Sequence, residues 1–184
     1  MSTPAPPEPF ALLLELARAF ARSATPLPAR TGYAPVATMI AFRLAGCDAL
    51  VDLECLSEIL PVRGLTRLPR VQPWMRGIAN VRGKLLPVVD GAEFLGQGST
   101  ASSKHQRILV MASEDFSAGL IVERVDGLRH FTHDSFRDRQ TLEPGPLDRF
   151  VAGGLVDANQ RILPLFDHAR LFQDPGFRDA SLGR

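Results

Sequence analysis

One pattern occurs twice in this chain and limits what it can fold into. Gly77-Ile78-Ala79-Asn80-Val81-Arg82-Gly83-Lys84-Leu85-Leu86-Pro87-Val88-Val89-Asp90 returns, in relaxed form, as Gly154-Leu155-Val156-Asp157-Ala158-Asn159-Gln160-Arg161-Ile162-Leu163-Pro164-Leu165-Phe166-Asp167. Each copy runs from a glycine through a short apolar strand, a polar turn and a basic residue to Leu-Pro, two apolar residues and an aspartate. A repeat of this length implies two similar halves built on one plan. The copies differ at the turn, Arg82-Gly83 in the first and Asn159-Gln160 in the second. Function is expected where the symmetry fails.

The rest of the chain reads mainly as strands. Met39 to Leu44 and Leu50 to Leu60 are apolar runs separated by the hairpin-like turn Ala45-Gly46-Cys47-Asp48. Arg107 to Met111 and Leu120 to Val125 repeat that arrangement, with Leu120 in the place of Leu50. Several short strands between turn signals argue for small barrels or sandwiches. Pro87 and Pro164 cannot donate to a ladder and are expected near a sheet edge or a bulge. Asp90 and Asp167 are expected to cap short helices at 92–95 and 169–172. The segment Gln97 to Ser103 reads as the linker between the halves, and the chain beyond Gln173 as a loose tail.

Ahead of the strands lies an extension. Residues 1–9 are proline-rich, Phe10 to Ala24 has the spacing of an amphipathic helix, and 25–35 reads as a tether. The helix is too short to hold alone in water and is expected to pack on its own chain. The organisation is therefore an extension over 1–35, a β unit of two small subdomains over 36–175, and a loose tail over 176–184.

Charge and composition narrow the function. The 184 residues are 45% hydrophobic and 22% charged, with a net charge of +1, as in an ordinary globular protein. Between Ile59 and Val89, however, stand Arg63, Arg67, Arg70, Arg76, Arg82 and Lys84, with no acidic residue. Such a stretch suits an anionic partner, although any one of these arginines is more simply a solvated loop residue. Cys47 and Cys55 are too few for a disulfide framework or a zinc site, and Cys55 reads as a buried structural thiol. No run is apolar enough to span a bilayer, and no basic segment precedes the first apolar stretch, so a cytoplasmic protein is expected.

The search for catalytic groups returns nothing. Gly96-Gln97-Gly98 lacks the third glycine of a dinucleotide loop, Lys104 completes no phosphate loop, and no serine sits in a nucleophile elbow. His130, His133 and Asp134 could be metal ligands on a helix, but they continue a strand pattern in which positions three apart face opposite ways. No enzyme activity, cofactor or metal is expected.

The segment Val71-Gln72-Pro73-Trp74-Met75-Arg76, continued through the first copy of the repeat to Asp90, resembles the CheW family of chemotaxis coupling proteins. There a proline-containing loop leads into a glycine-led strand, an Asn-apolar-Arg-Gly turn and a strand closing on Pro-apolar-apolar-Asp. The resemblance spans Thr38 to Phe172 and is more specific in the first half. It implies two five-stranded SH3-like barrels around a shared apolar groove, to which the residues themselves add the N-terminal helix and a short helix after each closing strand. It also implies a non-catalytic adaptor in a receptor array at the membrane. Such an adaptor joins the cytoplasmic tip of methyl-accepting chemoreceptors to the regulatory domain of a CheA-type histidine kinase, with neither nucleic acid nor membrane insertion.

By position, the resemblance makes Arg82 the arginine at the receptor-facing junction and Glu58 the glutamate that approaches it. Gly77 and Gly83 fit turns or close approaches. Ile78 and Val81 either line the groove or belong to the core, and Trp74 is either a lid over the barrel or an exposed hot spot. The extension, the Arg67-Leu68-Pro69-Arg70-Val71-Gln72-Pro73-Trp74 loop and the Ala79–Val88 run are most similar to couplers of the systems that control type IV pili and twitching motility. Three departures from the family are the extension itself, Gly91 in place of a leucine, and a second half poor in family residues. The alternative is a small-barrel nucleic-acid binder using the basic Ile59–Val89 stretch, which offers only Trp74 for stacking.

Overall fold

The computed structural model describes residues 37–113 and 116–182; the helix expected over Phe10–Ala24 and its tether lie outside them. Strands β1 (Ala37–Leu44) and β2 (Cys47–Asp52) form a hairpin through Ala45 and Gly46, both at positive φ (50° and 76°). That is the handedness a two-residue turn needs to match strand twist. The expected single run Leu50–Leu60 is instead broken. Asp52 accepts from the Glu54 amide and starts a 3-10 turn at Leu53–Cys55, after which β3 (Leu56–Pro61) enters another sheet.

Four more strands follow in that second sheet: β4 (Met75–Val81), β5 (Lys84–Asp90), β6 (Arg107–Ala112) and β7 (Ser117–Val122), with the short helix α1 (Gly91–Phe94) after β5. Its order is β3-β6-β7-β5-β4. At Glu123 the chain crosses back, its amide donating to the Arg43 carbonyl at 2.9 Å. Then come β8 (Arg124–Phe131), β9 (Phe136–Asp138), β10 (Val151–Val156) and β11 (Ile162–Phe166). They join the first hairpin in the order β8-β1-β2-β11-β10-β9. The expected pair of five-stranded units is thus five and six, because the three-residue β9 adds an edge. Helices α2 (His168–Gln173) and α3 (Pro175–Arg178) close the fold.

The duplication is real, but its halves are not the two sheets. Each β-hairpin beginning a half pairs with the repeat copy of the other half. Strand β2 lies parallel to β11, with Leu50 opposite Leu165, and β7 lies parallel to β5, with Leu120 opposite Val89. For the same reason 97–103 does not separate the subdomains; it joins α1 to β6 within one sheet. Pro87 and Pro164 lie on interior strands and not at an edge, but each stands beside a bulge as expected. The register shifts between Met75 and Gly77 and between Val151 and Gly153, and each proline's strand begins its parallel pairing only at the next residue.

Strand periodicity explains the packing. In β1, Met39 and Ala41 enter the core of the six-stranded sheet, whereas Ile40, Phe42 and Leu44 enter a core shared by both sheets. In β6, Ile108 and Val110 enter the core of the five-stranded sheet, and Leu109 and Met111 the shared one. Successive side chains point to opposite faces, and both faces are buried, hence the continuous apolar runs.

Both aspartates that end the repeat copies act as N-caps. Asp90 is 1% exposed and accepts from the Glu93 amide, the Thr100 hydroxyl (2.6 Å) and the Ser99 hydroxyl. Asp167 accepts from the amides of Ala169 and Arg170. Of the segment expected to be a loose tail, residues 174–182 are held in place. Phe177 is buried among aromatic rings, the Gln72 amide donates to the Ala180 carbonyl, and the Leu182 amide donates to the Arg70 carbonyl. An apolar ring 5% exposed accounts for the order.

Candidate functional site

Strands β3 and β4 are opposite edges of the five-stranded sheet, yet they are brought together. The Thr66 amide donates to the Ile78 carbonyl at 2.9 Å, and the Ile78 amide donates to the Thr66 carbonyl at 2.8 Å. Gly77 makes this approach possible: it stands at φ 138°, and a Cβ there would collide with the Thr66 carbonyl oxygen. Farther along the same seam, Arg82 Nη2 donates to Glu58 Oε1 at 2.7 Å. The two residues singled out by resemblance are therefore in contact. Arg82 is 82% exposed and Glu58 25%.

The turn beneath Arg82 is the shortest a hairpin allows. Val81 pairs with Lys84, so only Arg82 (φ 51°) and Gly83 (φ 83°) form the loop. Asn80 Oδ1 accepts from the Gly83 amide at 2.9 Å and fixes it. The second copy is built otherwise. The Asp157 amide donates to the Arg161 carbonyl, leaving three residues in the loop, with Gln160 at φ 60°. Arg161, the counterpart of Lys84, turns back to Asp157 at 3.1 Å. The Arg161 amide, together with its side chain and the Asn159 amide, holds the Asp157 carboxyl below the usual carboxylate range, against the opposing effect of burial. The first turn presents an arginine to solvent; the second ties its basic residue internally.

The remaining expected site residues are distributed along β4 and its approach. Val81 is half-buried against the core of the five-stranded sheet. Ile78 is half-buried and held by the Thr66 bridge. Trp74 is not an exposed hot spot: it packs on the shared core, edge-to-face with Phe94 at 5.2 Å and stacked on Phe177 at 6.3 Å. One residue escaped the sequence reading. Leu85, just after the turn, is 73% exposed. The signal was strand alternation, since buried Leu86 forces its neighbour onto the other face.

Elsewhere the chemistry is sparse. Cys55 is only half-buried, and burial, then the nearby Asp52, pushes its thiol ionisation up. His130 lies exposed on β8, 3.3 Å from Thr38 Oγ1. Among the described residues no helix is long and apolar enough to cross a membrane.

Comparison with known proteins places this architecture. The family described as CheW-like domain matches residues 38–176. Protein PilI of Pseudomonas aeruginosa is 35% identical over 174 residues, covering 95% of this chain and 97% of the relative. Protein FrzA of Myxococcus xanthus is 29% identical over 145 residues, covering 76% of this chain and 87% of the relative. The crystal structure of the scaffolding protein TtCheW from Thermoanaerobacter tengcongensis superposes with a TM-score of 0.65 at 25% identity. That match covers 80% of this chain and 94% of the other. With its duplicated strand-turn-strand pattern, its two sheets and these matches, the chain belongs to the CheW-like family.

Proposed function

We propose that this protein is a non-catalytic adaptor that couples methyl-accepting chemoreceptors to a CheA-type histidine kinase, in the chemosensory system that governs type IV pili and twitching motility. The observation that carries the reading is the Arg82–Glu58 pair on a two-residue turn. An exposed ion pair contributes only ~0–1 kcal/mol to stability, so its value lies in orientation. One guanidinium N–H is held by Glu58 and the turn backbone is fixed by Asn80, leaving the other donors directed outward in a set geometry. Exposed Leu85 beside the turn adds the apolar contact that a polar donor needs for affinity. The pilus assignment rests on the likeness to PilI over nearly the whole chain. Single contacts of this kind are weak, and an array gains strength by multivalency.

The test is a calorimetric titration of the full chain with the regulatory domain of its own organism's CheA-type kinase, and separately with a receptor-tip hairpin. Saturable one-to-one binding supports the coupler. A folded sample that binds neither removes it.

A further inference from the structure

The basic run read between Ile59 and Val89 divides in three dimensions. Arg82 and Lys84 stand at the β4–β5 turn, while Arg76 opens β4, about 20 Å away at ~3.3 Å per residue. Around Arg76 the fold gathers a second group. Arg63 and Arg67 come from the loop after β3, and Lys104 and Arg107 from the segment that enters β6. Arg63, Arg76, Lys104 and Arg107 line a cavity of about 310 Å³, and Arg67, Arg76 and Glu93 line another of about 300 Å³. Arg76 is common to both.

This face carries more cations than its own acids balance. The carboxylates lining the cavities are Asp90 and Glu93, and both are already engaged by Arg76, at 3.6 and 3.7 Å. Arg63, Arg67, Lys104 and Arg107 form no ion pair among the described residues. Arg107 instead donates to the carbonyls of Lys104 (2.8 Å) and Gln106 (2.7 Å), which fixes its guanidinium at the rim. The loop that supplies Arg63 and Arg67 is fastened by the Thr66–Ile78 bridge and by the Gln72 side chain on the Ser181 carbonyl at 3.0 Å. Like charges held this close on a rigid concave surface repel one another, and an anionic occupant relieves that.

We propose that this face is a second docking site, separate from the Arg82 turn, for an extended acidic segment of a partner protein. Nucleic acid fits less well, because no aromatic side chain lines either cavity and bases have nothing to stack on. A bare phosphate chain fits less well because the negative charge of Glu93, its side chain 24% exposed, lines the second cavity. A peptide brings carboxylates for the arginines and backbone N–H groups for the exposed part of Glu93. Phosphate brings only acceptors and is repelled there.

The experiment is fluorescence anisotropy on the full chain with a fluorescein-labelled peptide of alternating Glu and Ser. Polyphosphate and a single-stranded oligonucleotide of matched charge serve as competitors. The expected result is saturable binding that weakens with salt. Joint replacement of exposed Arg63→Ala and Lys104→Ala lowers affinity about tenfold with unchanged circular dichroism. Arg82→Glu, at the other end of β4, leaves peptide binding unchanged. Three results overturn the proposal: no saturable binding at low salt, loss of peptide binding in Arg82→Glu, or a phosphate polymer that outcompetes the peptide. Since no receptor or kinase enters the measurement, failure here is distinct from failure of the coupling role.

Discussion

Arg82 and Glu58 meet at 2.7 Å across a seam, although β4 and β3 stand at opposite ends of their sheet's order. The contact therefore marks where the five-stranded sheet curls back on itself, with the Thr66–Ile78 bridge farther along the same line. Removing it costs the fold little, because Arg82 is largely in water and the Thr66 and Ile78 backbones keep the seam closed. Arg82→Glu is expected to change unfolding free energy by less than about 1 kcal/mol while abolishing binding to a receptor tip. A melting temperature lowered by many degrees would show that the arginine is structural.

The two glycines near the turn have different tasks. Gly83 lies at φ 83° with open space around it, so Gly83→Ala is expected to cost about 1–2 kcal/mol, the penalty for a side chain in the left-handed region. At Gly77 a Cβ would strike the Thr66 carbonyl in a region that side chains rarely adopt. Gly77→Ala is expected to cost at least about 3 kcal/mol and to open the seam. Urea unfolding compares the two; equal losses would contradict the assignment.

Phe177 joins the C-terminal segment to the body. Its ring lies 5.3 Å from Phe94, 5.9 Å from Phe172 and 6.3 Å from Trp74. Phe177→Ala is expected to lower stability by about 3–5 kcal/mol, through lost transfer energy and the cavity left behind. The sole tryptophan, Trp74, provides the readout, with its emission moving to longer wavelength as water reaches it. Unchanged emission and stability would mean that the segment packs elsewhere.

Asp157 supplies a pH signature. Its folded carboxyl titrates below the ordinary value, chiefly through the Arg161 amide. The contribution to stability is present above the unfolded value of about 3.9 and is lost as pH falls from there through the depressed folded value. Asp157→Asn should therefore be less stable than the wild type at pH 7, with the gap closing below about pH 4. A gap constant from pH 7 to pH 3 would assign the loss to packing instead.

Local features were legible because they depend on neighbours in the chain. The Asn80-Val81-Arg82-Gly83 turn and the capping aspartates Asp90 and Asp167 each follow from a few adjacent residues. Two expectations failed where the partner is distant. The run Leu50–Leu60 looked continuous because strands entering two different sheets are both apolar. The tail looked loose because Phe177 is a single ring in a polar segment, and only the rings of Trp74, Phe94 and Phe172 show its place. Trp74 stood open between a lid over the barrel and an exposed hot spot for the same reason, and the structure packs it on the core.

Two copies of one strand-turn-strand plan, with Arg-Gly at the turn of the first copy alone, can be read from the order of residues. Tertiary structure alone decided that the halves exchange their first hairpins, that Arg82 finds Glu58, and that the basic run splits into two separate faces. The physical reason is that turns and alternation are set by short-range backbone geometry. Strand pairing between apolar runs is chemically permissive, so which edges meet is settled only when every buried face finds a partner at once.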